Sequence, residues 1–82
     1  HNLGHTLRDI EIEGVGQWKA RMLETPNGAA DKQVWYYVGC LRALSNSWIH
    51  PIRDEFGRAV LRLCTLVGTQ DDVTEVAGLL NR

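Results

Sequence analysis

Eighty-two residues, a formal net charge of −1 and 44% hydrophobic residues bound this chain before any motif is read. The length predicts one small domain over residues 1–82, with little apolar surface to bury. Near-neutral charge and an ordinary charged fraction argue against a disordered chain or a general polyanion binder. No apolar run approaches the roughly 18 residues of a membrane span, so no membrane partner is expected.

In chain order, the first readable element is residues 8–22, RDIEIEGVGQWKARM. Read at period two, the segment folds about Gly14-Val15-Gly16 into a β-hairpin. Ile12 then faces Trp18 and Ile10 faces Ala20, while Glu11 meets Lys19 and Asp9 meets Arg21. Apolar pairs fall on one side and opposite charges on the other, as cross-strand pairing requires. A helical reading competes: Leu3, Leu7, Ile10, Gly14, Trp18 and Met22 recur at helical spacing, with Thr6 to Asp9 as an N-cap box. It places two glycines inside a helix, at about 1 kcal/mol each. It also stacks Asp9 and Glu13 four residues apart. The hairpin is therefore the expected form.

Thr25-Pro26-Asn27-Gly28 reads as a turn, since Pro, Asn and Gly each supply a restricted or left-handed backbone. Asp31 is a fair N-cap for a helix over about 32–48, with Val34, Tyr37, Val38, Leu41, Leu44 and Trp48 on its main face. His50 precedes Pro51, which pushes it out of the helical region, and Pro51 suits the first turn of the next helix. That helix, about 51–67, carries Ile52, Phe56, Ala59, Leu63, Leu66 and Val67 on one face, and Gly68 is placed to end it. Thr69 then caps a short helix with Asp71 and Asp72 in its positive first turn and Val73, Val76, Ala77 and Leu80 inward. The expected fold class is α+β, an N-terminal β-hairpin packed on three α-helices; the alternative is an all-α four-helix domain.

The helix over 32–48 is apolar nearly all round. Trp35, Tyr36, Gly39 and Ala43 lie opposite the Val34/Leu41 face, which suits a central helix covered twice. On that view the helix over 51–67 covers one side, and Ile10, Ile12 and Trp18 of the hairpin cover the other. The functional alternative leaves Trp35, Tyr36, Gly39 and Ala43 open as a partner-binding patch, with aromatic residues beside small ones. Leu61 would be a further exposed apolar residue.

A cluster of Arg42, Arg58 and Arg62 near aromatic residues offers a second reading, phosphate and base contact with a nucleic acid. Asp54 and Glu55 are spaced to pair with Arg58, which weakens it. A helix-turn-helix finds little support, because the junction before Pro51 is not a tight Gly-bearing turn.

Chemistry is scarce. His1 and His5 read as terminal residues and His50 as a loop histidine with no carboxylate to orient it. Gly14-Val15-Gly16 is too short for a phosphate loop. Cys40 and Cys64 read as two buried or half-buried thiols, and bridge only if their helices pack closely there. No metal, no cofactor and no catalytic residue is expected. The expectation is a small non-catalytic protein-interaction or assembly module in the reducing cytoplasm, binding a protein or its own copy. Its size suits a phage or mobile-element protein or a piece of a larger regulatory chain. A nucleic-acid-binding module using Arg42, Arg58 and Arg62 is the alternative.

Overall fold

A computed structural model describes residues 3–47 and 51–81. Among these residues there are five helices and no strand: α1 (Leu3–Glu13), α2 (Val15–Leu23), α3 (Ala30–Ser47), α4 (Pro51–Val67) and α5 (Gln70–Leu80). The expected hairpin is corrected to a helical one, and the all-α alternative fits, with one helix more than it anticipated.

The physical reason lies at Gly14. Its φ of 88° and ψ of 150° belong to a region open essentially to glycine alone. Its N–H donates to the Ile10 carbonyl at 2.8 Å, and its carbonyl accepts from Trp18 N–H at 3.0 Å. Helical bonding thus enters and leaves the break without a lost partner. Gly14 stands between two helices, and Gly16 falls in the first turn of α2, where helix propensity matters least. The Asp9–Glu13 repulsion is also answered. Arg21 Nε donates to Glu13 at 2.8 Å, and its guanidinium lies 3.8 Å from Asp9. Thr6, read as a possible cap, sits inside α1.

The apolar residues at helical spacing then converge. Leu3, Ile10 and Trp18 are buried, while Leu7 and Met22 pack against the core from its edge. Ile12 is 76% exposed, so the Ile12–Trp18 pair does not exist. Glu11 pairs with Arg62 on α4, not with Lys19.

The central helix is α4, not α3: α4 packs against each of the other four helices, whereas α3 touches α2, α4 and α5. At 100° per residue, the exposed residues Asp54, Glu55, Arg58, Arg62 and Thr65 are confined to an arc of about 100°. The remaining perimeter buries Val60, Leu63 and Cys64 and half-buries Phe56, Ala59, Leu61, Leu66 and Val67. Leu61, expected outside, packs on the core. Arg53 is also buried on α4, its guanidinium 3.7 Å from Asp54. Gly57 lets α4 approach its neighbours, because a Cβ there would run into Leu80 of α5 and reach Leu41 of α3.

The α4–α5 corner follows the sequence closely. Gly68 N–H donates to the Cys64 carbonyl at 2.8 Å as α4 ends. Thr69 accepts from Asp72 N–H at 3.2 Å, and Thr69 N–H donates to the Asp72 carboxylate at 2.9 Å, a reciprocal capping box. Trp48 and His50 lie outside the described residues, as do the side chains of Pro51 and Ile52. Among the described residues no helix is long and apolar enough to cross a membrane.

Candidate docking surface

Helix α3 begins at Ala30, so Asp31 lies in its first turn rather than capping it. Before it, Asn27 takes a φ of 61°, a left-handed conformation that asparagine tolerates, and Gly28 N–H donates to the Thr25 carbonyl at 3.0 Å. Gln33 ties this turn to α3: its Nε2 donates to the Gly28 carbonyl at 2.6 Å and reaches Met22 Sδ at 3.4 Å. The start of α3 is therefore fixed against α2.

One face of α3 buries Val34, Val38 and Leu41. Among the described residues the opposite face is largely open. Trp35 is 78% exposed and Tyr36 59%; Ala43 is exposed and Gly39 half-buried. A Cβ added at Gly39 would meet nothing within 4 Å, so no helix has used this glycine for close packing. Among the described residues the double cover expected from the sequence is not seen, because Ile10 and Trp18 are buried in the core and Ile12 is exposed.

Tyr36 is nonetheless held in place. Its ring meets Tyr37 edge-on at 5.3 Å between centroids, and Tyr37 meets Phe56 at 6.3 Å in the same manner. This aromatic chain runs from the core edge to the surface. Burial, with Tyr36 and Cys40 nearby, pushes the Tyr37 hydroxyl above its usual range.

Trp35 stands between three clefts. One of about 640 Å³ lies toward the turn, lined by Met22, Asn27, Lys32, Tyr36 and Tyr37 among others. A second, about 320 Å³, runs toward α5 past Val38, Val67 and Asp72. The third, also about 320 Å³, lies over Gly39 between Tyr36, Arg42 and Ala43. The four residues read from the sequence as a partner patch are thus neighbours on one open face, with clefts on either side.

The three arginines are not gathered in this way. Arg42 Nε donates to Glu75 at 2.9 Å across the α3–α5 seam. Arg62 lies 3.4 Å from Glu11 at the α1–α4 seam. Arg58 is exposed on α4. Two of the three charges are shared with carboxylates at different seams.

Cys40 and Cys64 are both free. Cys64 is buried, and desolvation together with Asp72 and Glu75 pushes its thiol up to about 11. Cys40 is half-buried and lines the cleft over Gly39. Sequence reading missed the exposed Leu23, 74% accessible on α2, which borders a separate cleft with Lys19 and Ala30. Its position two residues before Thr25-Pro26 was a usable signal, because a side chain at the end of a short helix has little left to pack on.

No family model, curated protein or solved structure matches the chain.

Proposed function

We propose that this protein is a non-catalytic interaction module that docks a protein through the Trp35/Tyr36 face of α3. The observation that carries the reading is the pairing of two large aromatic side chains, both mostly in water, on a helix face left open among the described residues. Leaving such apolar area exposed forgoes a few kcal/mol of burial that the fold could otherwise gain. Aromatic residues rimmed by polar groups are what interface centres are made of, and Trp and Tyr dominate their energetics. The edge-on contact of Tyr36 with Tyr37 holds one ring in position before binding, which lowers the entropy lost on docking. The ion pairs at Arg42 and Arg62 weigh against a nucleic-acid interface, because each arginine would leave a carboxylate to reach a phosphate.

The test is recovery of a partner from cells that express the chain. Wild type is expected to retain a defined protein that Trp35→Ala and Tyr36→Ala lose and Thr74→Ala, on the exposed side of α5, keeps. Equal recovery by all four proteins, or none by wild type, contradicts the proposal.

A further inference from the structure

We infer that the cleft between α3 and the Thr25–Gly28 turn receives an acidic segment of the docked protein, with an aromatic side chain among Met22, Trp35, Tyr36 and Tyr37 and a carboxylate at Lys32. The inference rests on the docking reading above and names the chemistry of the occupant. Of the three clefts around Trp35 this one, about 640 Å³, is the largest. Sites that enclose a small organic group occupy about 300–1,000 Å³. A thioether and three aromatic rings line it, and such walls favour a further ring at their edges and faces. Gln33 bonds to both the Gly28 carbonyl and Met22 Sδ, so the turn side and the α2 side are in place before docking.

Charge selects the flank of that ring. Among the described residues, Lys32 is the one charged residue lining the cleft, and it makes no ion pair. It also stands in the first turn of α3, where a cation opposes the helix dipole. Neither an ion pair nor the helix therefore accounts for a positive charge at this place. A partner's carboxylate answers both, pairing with the ammonium and lying near the positive end of α3. The cleft on the α5 side of Trp35 has the opposite balance, with Asp31, Asp72 and Glu75 against Arg42. Those charges are already used: Asp72 closes the capping box on Thr69, Glu75 holds Arg42, and Asp31 complements the dipole of α3. An acidic segment is repelled there, so its carboxylate falls on the turn side of Trp35.

Nuclear magnetic resonance titration with three blocked tripeptides tests the assignment: acetyl-Glu-Phe-Glu-amide, acetyl-Lys-Phe-Lys-amide and acetyl-Glu-Ala-Glu-amide. The first is expected to give saturable shifts of the Trp35 indole N–H and the Met22 methyl, binding about fivefold to tenfold tighter than either of the others. Lys32→Glu, with unchanged circular dichroism, is expected to prefer the lysine peptide. Equal affinity for the two charged peptides, or a preference that Lys32→Glu leaves as it was, overturns the charge assignment. Tighter binding of phenylacetate than of the first peptide gives the cleft to a small free acid and overturns the protein segment. No saturable shift at millimolar peptide overturns the occupant altogether. Recovery from cells separates this inference from the docking reading. If Trp35→Ala loses a recovered protein and Lys32→Glu keeps it, docking stands and the acidic segment falls; if wild type recovers nothing, both fall.

Discussion

Single residues decide the first third of this molecule. Gly14 holds a backbone conformation that costs other residues about 1–3 kcal/mol. Gly14→Ala is therefore expected to destabilise by that amount in urea unfolding, although the added Cβ meets no neighbour. A loss below about 0.5 kcal/mol would show that α1 and α2 tolerate another junction. Cys64 makes a second residue-scale expectation. Its thiol titrates near 11 in the fold against an ordinary 9.0, so the folded state holds its proton where the unfolded state releases it. Stability is then level below pH 9, falls as pH rises from 9 to 11, and levels off above. The full effect is on the order of 2 kcal/mol. The raised Tyr37 hydroxyl acts in the same direction at the alkaline end. Urea unfolding across this range measures the slope, and Cys64→Ala is expected to flatten its lower part.

At the scale of elements, the caps and breaks were legible where a side chain does one local job. Pro51 opens α4, Gly68 follows its end, and Thr69 caps α5, as their chemistry requires. Thr69→Ala is expected to cost about 1 kcal/mol by removing half of the capping box, read as a lower melting temperature; Thr69→Ser is expected to retain most of it. Residues 8–22 misled for a physical reason. A β-hairpin and a pair of helices folding back at Gly14 both bring Arg21 near Asp9, so charge pairing does not distinguish them. The apolar spacing of Leu3, Leu7, Ile10, Trp18 and Met22 does, because all of it is buried or half-buried in the helical form. The choice of central helix failed differently. A helix apolar on two sides says that both could be covered, not that a neighbour is available. The narrow polar arc of α4 was the better guide, since five of its exposed residues share one side.

For the whole molecule, the other four helices pack against α4, whose polar arc stays exposed, and among the described residues α3 has one face inside and one largely open. The patch of Trp35, Tyr36, Gly39 and Ala43 was readable as an apolar arc. Its exposure was not, because that depends on where α1 and α2 go. The central claim is that Trp35 serves recognition and contributes little to folding, whereas Trp18, 1% exposed, holds the core. Trp18→Ala is expected to cost about 3–5 kcal/mol, which the domain could fail to survive. The most direct measurement is urea unfolding of Trp35→Ala at low micromolar concentration, where self-association does not contribute. A stability within about 0.5 kcal/mol of wild type is the expected result. A loss of about 3 kcal/mol or more would place that ring in the core and contradict the open face.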